Sequence, residues 1–439
     1  MKKNKVLCQL LPASAAALFS AASACGATFI CDPKAGSPQG DGSAAKPWRT
    51  LEEVVSARLI RLTDRGGACK NPGAPVKPGD TLLLRSGWHG SLRIDAGYNE
   101  APLTIAAEAG QAPQLGSVAI HDGCNWVVRG LTVSPSLAPS PAAKPPRDLV
   151  QLGEHGGDAC SNLVVEGCFV YSTLDTAAWG AKEWMEKPAS GIWLGRGGHG
   201  HAARNNYVFN TRFGINLCAP GCLAEGNVVD RFSADGLRVT RDGQTARHNV
   251  IKNIFVSMED GDANHDDGIQ AFLFGKGRGL VSNVSLLENI ILARERDDLP
   301  LAAPMQGIGC FDGPLANFTV AGNVVCVNTW HGLSLFDAQG CTVSNNVVYS
   351  RWANREQPWV MLGAKQKVAR GNTVRDNLAK NGFNFKSDPE VKAANNGPAT
   401  EAAFRAREAE LLARINARYG AIHPAAQRPR LSAGTSAVP

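Results

Sequence analysis

An asparagine followed by branched apolar residues recurs along this chain, and that repeat limits the fold more than any other feature. It is read in Asn206-Tyr-Val208, Asn227-Val-Val229, Asn249-Val-Ile251, Asn289-Ile-Ile291, Asn323-Val-Val325, Asn346-Val-Val348 and Asn372-Thr-Val374, with a degenerate form at Glu166-Gly-Cys168. Successive asparagines lie 21, 22, 40, 34, 23 and 26 residues apart. Units this short cannot each enclose a core, so they must stack on one another. The L-x-x-L-x-L pattern of a leucine-rich solenoid is absent. The Val/Ile pair suits a strand. The Asn suits a tight corner, because it tolerates the left-handed backbone conformation, and its amide can bond to the Asn of the next coil. The expected fold is all-β, a right-handed parallel β-helix solenoid with loops inserted in its two longest coils.

A second series runs in phase with the first: Ser190-Gly-Ile-Trp193, Phe213-Gly-Ile-Asn216, Asp235-Gly-Leu-Arg238, Asp267-Gly-Ile-Gln270, Gln306-Gly-Ile-Gly309 and His331-Gly-Leu-Ser334. Side chains alternate along a strand. Ile192, Ile215, Leu237, Ile269, Ile308 and Leu333 are therefore expected inside, and Trp193, Asn216, Arg238, Gln270, Gly309 and Ser334 in a row outside. Coils about 4.8 Å apart bring that row together on one face.

The ends differ from the middle. Lys2, Lys3 and Lys5, an apolar stretch over 7–22 and the small residues Ala22-Ser-Ala24 have the form of a cleaved signal peptide. Lipid attachment at Cys25 is the alternative, although the usual preceding leucine is missing. A secreted or periplasmic location follows, and no later stretch has the apolar length of a membrane span. Residues 48–62 show helical periodicity with Thr50 as N-cap, a helix placed to cover the open end of the solenoid. Residues 134–147 form a loop rich in Pro, Ala and Ser. Residues 399–418 form a charged, Ala-rich helix, expected to be a solvated cap, and the tail after Pro424 is expected to be disordered. The organisation is thus a signal over 1–24, a cap and first coils over 25–147, site-bearing coils over 148–380, and a C-terminal helix and tail over 381–439.

The chain holds 45 Lys and Arg against 39 Asp and Glu. Loss of the three signal lysines leaves a net charge of +3. That balance and the lack of an arginine-rich tract exclude nucleic acid as the expected partner and are compatible with an acidic polymer. A monomer is expected. Of twelve cysteines, Cys8 leaves with the signal. Export permits disulfides, with Cys31 and Cys69, Cys160 and Cys168, and Cys218 and Cys222 as candidate pairs whose connectivity sequence does not determine.

The N-terminal part carries Gly40-Asp-Gly-Ser43, Pro47-Trp-Arg-Thr-Leu51, Pro78-Gly-Asp-Thr-Leu-Leu-Leu84 and Asn99-Glu-Ala-Pro-Leu-Thr-Ile105. These motifs resemble those of secreted parallel β-helix carbohydrate-active proteins, the pectate-lyase-like and alginate-lyase-like enzymes and mannuronan C5-epimerases. The resemblance covers roughly residues 28–380. It implies a polysaccharide substrate, often one containing uronic acid. An epimerase of this group normally has an Asp-Pro-His-Asp/Glu element, and this chain has Asn264-His-Asp-Asp267, which counts against that activity. The pectate-lyase pattern uses a Lys or Arg base in an Asp-rich calcium site, and Arg238 matches it in part.

Polar residues thicken in the middle coils. Asp235 and Asp267 share one register position, as do Arg238 and Gln270 beside them. Carboxylates one coil apart repel unless protons, a hard cation or an arginine intervene. Three resolutions follow: an acid/base pair as in glycoside hydrolases, a Ca²⁺ site formed by Asp235, Asp266 and Asp267, or a structural ion pair with Arg238 or Arg241. His265 adjoins two aspartates and suits proton transfer. Lys276, in a Gly-rich loop, Arg241, Asp312, His331 and Trp193 are further candidates for substrate contact, and Trp330 and Phe311 could stack on sugar rings although packing is the commoner fate of such residues. β-Elimination at a uronate needs carboxylate neutralisation, a base at C5 and an acid for the leaving oxygen. Arg238 with Gln270, His265 and Asp267 are the catalytic and binding residues of this reading, a polysaccharide lyase. The alternatives are a hydrolase using Asp235 and Asp267, a uronate epimerase, and a non-catalytic carbohydrate-binding protein.

Overall fold

Each Asn-marked segment becomes two short strands joined by a corner, and a third strand closes the coil. The computed structural model describes residues 26–140, 145–154, 157–256, 266–273, 280–301, 303–353, 356–367 and 369–420. The expected signal peptide and the tail past Pro424 lie outside these residues. Stacking of the coils makes three long sheets of 13, 12 and 11 strands, and every pairing within them is parallel. One coil runs through Leu223–Glu225 in the 13-stranded sheet, Val228–Phe232 in the 12-stranded sheet and Leu237–Val239 in the 11-stranded sheet. It then enters the next coil at Thr245–Arg247. Parallel crossovers of this kind are right-handed, and the fold is the expected right-handed parallel β-helix. A single apolar core fills its interior from Cys31 to Ala379. Ile192, Ile215, Leu237, Ile269, Ile308 and Leu333 all lie in it, each essentially inaccessible to solvent.

The ladder at the first corner is formed by Asn206, Asn227, Asn249, Asn289, Asn323, Asn346, Asn377 and Asn396. Each Nδ2 donates to the Oδ1 of the next rung at 2.9–3.0 Å. The same Oδ1 also accepts the backbone N–H of the preceding rung. Cys168 stands where the row begins, with its N–H on Asn206. Two expectations are corrected. The left-handed residue is the one before the rung, such as Asn205, Gly226, His248 or Glu288. The rung itself must turn its amide inward, so the neighbour makes the bend. Asn372 is not a rung: it bonds to Cys341 and Asp388 at the corner before the 13-stranded sheet, and Asn377 occupies the ladder.

The ten described cysteines carry free thiols, so the candidate disulfides are not formed. Cys160, Cys168, Cys218, Cys222, Cys310, Cys326 and Cys341 are buried, where the thiol packs as a small apolar group. The N-terminal helix α1 is shorter than its periodicity suggests, Leu51–Ser56, with Thr50 capping it through the Glu53 N–H. It stops where Arg58 takes a positive φ. A second short helix, α2 (Ala181–Glu186), lies in the loop after Phe169–Tyr171.

The C-terminal helix α3 (Glu401–Tyr419) is not a solvated end cap. It lies along the outer face of the 12-stranded sheet and buries Phe404, Leu411, Ile415 and Tyr419 against Val250, Ile290, Val324 and Val347. Nineteen residues of helix span about 28 Å, long enough to run back over about six coils. Its end is fastened by polar contacts. Tyr419 Oη donates to Glu225 Oε1 at 2.7 Å and lies 2.8 Å from His248 Nδ1. Arg418 pairs with Glu225 and Arg414 with Glu288. Gly226, at φ +67°, leaves the gap the Tyr419 ring fills: a Cβ there would come within 2.8 Å of the ring.

Two outcomes follow. Asn289→Ala removes the acceptor for Asn249 and leaves buried donors unsatisfied, which costs about 1–3 kcal/mol for each such group. Urea unfolding should show the variant roughly 3 kcal/mol less stable, with no change in the catalytic parameters measured below its transition. Burial works to raise Glu225 and Glu288, but the hydrogen bonds from Tyr419 and Arg247, and from His248 and Arg414, outweigh it and hold both carboxyls below their ordinary value. Their contribution to docking α3 is therefore present above about pH 4.3 and lost as the pH falls through the lowered values. Pepsin cleavage between residues 404 and 415 should begin only below that point. In the Glu225→Gln, Glu288→Gln double variant it should already be rapid at the upper end of the pepsin range.

Candidate active site

The outer face of the 11-stranded sheet is a groove along the solenoid axis. Its walls come from loop placement. Residues 172–189, 293–301, 303–305 and 356–358 lie between strands of the 12-stranded and the 11-stranded sheet, so these insertions emerge on one rim. Residues 313–314 follow the 11-stranded sheet on the other side. The groove floor is set by register. Trp193, Asn216, Arg238, Gln270, Gly309 and Ser334 are paired Cα to Cα in that order. A second column at the strand starts contains Asp148, Ser190, Phe213, Asp235, Asp267, Gln306, His331 and Trp359.

The aspartates and the arginine come together as the register requires. Asp235 is 2% exposed. Its Oδ1 accepts the Asp267 N–H at 2.9 Å, and its Oδ2 accepts Arg238 Nε in a short ion pair. The Arg238 guanidinium lies 3.9 Å from the centre of the Phe213 ring and 5.5 Å from that of Phe272. Its side chain is 17% exposed, so it faces the groove while held from two sides. Gln270 is its partner on the next coil. Asp267 is fully buried, and its carboxylate lies over Gly309. A Cβ at Gly309 would come within 2.1 Å of Asp267 Oδ1, so the glycine makes room for the carboxylate. Burial, and next the charge of Asp267, push the Cys310 thiol up.

The other expected residues are placed apart. His331 Nδ1 lies 2.8 Å from Ser334 Oγ, and its ring meets Phe311 and Trp359 edge-on. It is packed in an aromatic cluster two coils beyond Asp267. Asp312 is exposed and pairs with Lys365 at 3.2 Å. Arg241 donates to the Thr240 carbonyl at the corner after the sheet. Trp193 donates to Glu154 Oε2 at 3.0 Å and lies in the groove under Arg147. Phe311 is buried, whereas Trp330 is 49% exposed. His265 and Lys276 lie outside the described residues.

The calcium site expected at Asp235, Asp266 and Asp267 adjoins residues 257–265, which lie outside the described residues. Calcium takes six to eight oxygens, and among the described residues no three His, Cys, Asp or Glu side chains converge on one point. Asp235 is engaged by Arg238 and an amide instead, which is the arginine resolution of the carboxylate repulsion.

Two residues at the groove are additions to the sequence reading. Phe213 stands in the aspartate column and carries Arg238. Asp148 stands three coils before Asp235, buried and paired with Arg147 at 2.8 Å. Burial holds its carboxyl above the usual range against the pull of Arg147. Its strand, Asp148-Leu-Val-Gln-Leu152, lacks the glycine that marks the series, and only the alternation of Val150 and Gln151 betrays it.

No helix among the described residues is long and apolar enough to cross a membrane. No protein-family model matches the chain, and no curated protein matches it. Similar solved structures include XylC in complex with xylose, at 10% identity and TM-score 0.49 over 84% of this chain and 86% of that one. A GH136 lacto-N-biosidase from Eubacterium ramulus is similar at 13% identity and TM-score 0.47, over 85% of this chain and 67% of that one. An alginate lyase from a Paenibacillus species is similar at 14% identity and TM-score 0.41, over 74% of this chain and 94% of that one. A lyase and a biosidase stand side by side here, and one fold hosts many chemistries. The fold assignment rests on the strand ladders themselves: the chain is a right-handed parallel β-helix.

Proposed function

We propose that this protein is an exported polysaccharide lyase that cleaves a uronic-acid-containing polysaccharide by β-elimination in the groove over the 11-stranded sheet. The observation that carries the reading is Arg238, oriented by Asp235 and Phe213 beside Gln270 on the groove floor. A guanidinium and an amide on adjacent coils suit a uronate carboxylate, which accepts two parallel hydrogen bonds. Stabilising the charge that develops there acidifies the C5–H bond. His265, two residues before Asp267 in the chain, is the base that takes the C5 proton. The C4–O bond then breaks, a C4=C5 double bond forms, and His265 returns the proton to the leaving oxygen, with Asp267 as the buried carboxylate that follows it in the chain. No metal is assigned a step. The hydrolase alternative has one observation in its favour, the placement of Asp235 and Asp267 one coil apart. The ion pair on Asp235 weighs against it, because a carboxylate held by arginine is a weak base.

Product analysis across acidic polysaccharides separates the two. A lyase yields an unsaturated uronate that absorbs in the ultraviolet, in step with new reducing ends. New reducing ends without that absorbance would establish hydrolysis. Arg238→Lys loses the planar fork that Asp235 and Phe213 hold and should lower kcat/KM at least 100-fold, about 2.7 kcal/mol, with an unchanged melting temperature. Gly309→Ala pushes on Asp267 from below. It should lower kcat about tenfold or more while KM changes little, and equal kinetics would remove Asp267 from the mechanism.

A further inference from the structure

The groove differs in character on the two sides of Arg238. Towards the N-terminal coils it widens into a cleft of about 590 Å³ lined by Arg147, Lys187, Arg212 and Arg238 against Asp148 and Glu186. Arg147 is 71% exposed along its side chain and lies 5.1 Å over the Trp193 ring. Arg212 stands 5.7 Å from the Phe213 ring. Arg147 and Arg238 are held in place by Asp148 and Asp235, Lys187 and Arg212 add two further cations to the lining, and the rings beneath them give a flat floor.

Towards the C-terminal coils the described residues are mainly aromatic. Trp330, 49% exposed, stacks on Trp359 with ring centres 6.0 Å apart and 24° between planes. His331 and Phe336 continue the aromatic surface, packed on the buried Phe311. Lys365 lies over it, 5.8 Å from the Phe311 ring and 5.7 Å from Phe336, and pairs with Asp312 at 3.2 Å. Such a surface suits the apolar face of an uncharged sugar ring.

We propose that the groove takes an acidic heteropolysaccharide, with uronate units in the arginine-lined cleft and neutral sugar units on the Trp330–Trp359 platform. The coil spacing of about 4.8 Å is close to the length of one pyranose unit, so each coil faces one sugar. His331 stands two coils past Asp267 and Trp359 three, placing the platform two to three sugars beyond the reacting uronate. This inference rests on the lyase reading for the position of the reacting bond, and on charge and shape alone for the two classes of sugar.

The test is binding of the full chain, by affinity electrophoresis, to a soluble polymer in which uronate alternates with neutral hexoses, compared with polygalacturonate and polymannuronate. The heteropolymer should bind at least tenfold tighter than either homopolymer. Trp330→Ala should erase that preference by weakening the heteropolymer alone about tenfold, and Trp330→Phe should restore most of it. Arg147→Ala should weaken all three polymers by a similar factor. Both positions are exposed, and the melting temperature of each variant checks its fold. Equal binding of homopolymer and heteropolymer, no binding of either, or a Trp330→Ala variant with unchanged preference would overturn the proposal. Tight, Trp330-dependent binding of the heteropolymer with no product would instead count against the lyase reading and leave this one standing.

Discussion

The buried amide ladder is the constraint on which the rest of the molecule depends. Asn206 through Asn377 are wholly shielded from water, and an amide in that position must find partners. Each rung finds them in the next rung and in a carbonyl of the preceding coil, as Asn227 does with Asn249 and Ala203. That solution exists only if successive coils are in register and one strand spacing apart. Leaving buried groups unsatisfied costs about 1–3 kcal/mol each, so a slipped ladder would forfeit the 5–15 kcal/mol by which a typical fold is stable. Register elsewhere follows. A coil held at its Asn corner delivers its third strand to a fixed place, and Asp235, Arg238, Asp267 and Gln270 meet because the corner opposite them cannot slip.

The same constraint explains where the chain can afford length. The coil from Asn249 to Asn289 holds 40 residues, yet its rung distance is 2.9 Å, the same as in coils of half that size. Extra residues leave at the corner between the 12-stranded and 11-stranded sheets, where they disturb no rung. Loop closure costs grow slowly with length. Insertions on one corner of stacked coils form one wall, and a wall beside a flat sheet face makes a groove.

Much of this was legible because period two and the Asn repeat are local signals. The inward row, the outward row and the stacking of Asp235 on Asp267 follow from counting. What was hidden depended on contacts between distant residues. Asn372-Thr-Val374 imitates a rung, and only the partner strands reveal that Asn377 fills the position. Asp148 lacks the marking glycine. The cysteines had the right context for bridges, and the fold instead buries eight of the ten described thiols singly. The flank position of α3 depends on Glu225 and Glu288, which lie 194 and 126 residues from their partners Tyr419 and Arg414.

The ion pair at the centre of the groove was legible in kind, as one of three ways to relieve two stacked carboxylates, and its geometry decides what the site can do. An arginine beside buried carboxylates is held by attraction, but attraction alone leaves the plane of the guanidinium undetermined. Phe213 sets that plane by stacking at 3.9 Å, and Asp235 sets rotation within it through Nε. Guanidinium has five N–H donors in one plane, so a carboxylate on the Nε side orients the others without consuming them. A lysine would satisfy Asp235 equally well as a charge and would have no plane to orient. The column residue Phe213 and the row residue Arg238 belong to successive coils, so their stacking is itself a product of the ladder. The preorganised cation that the proposed elimination requires thus originates in the buried amides on the far side of the coil.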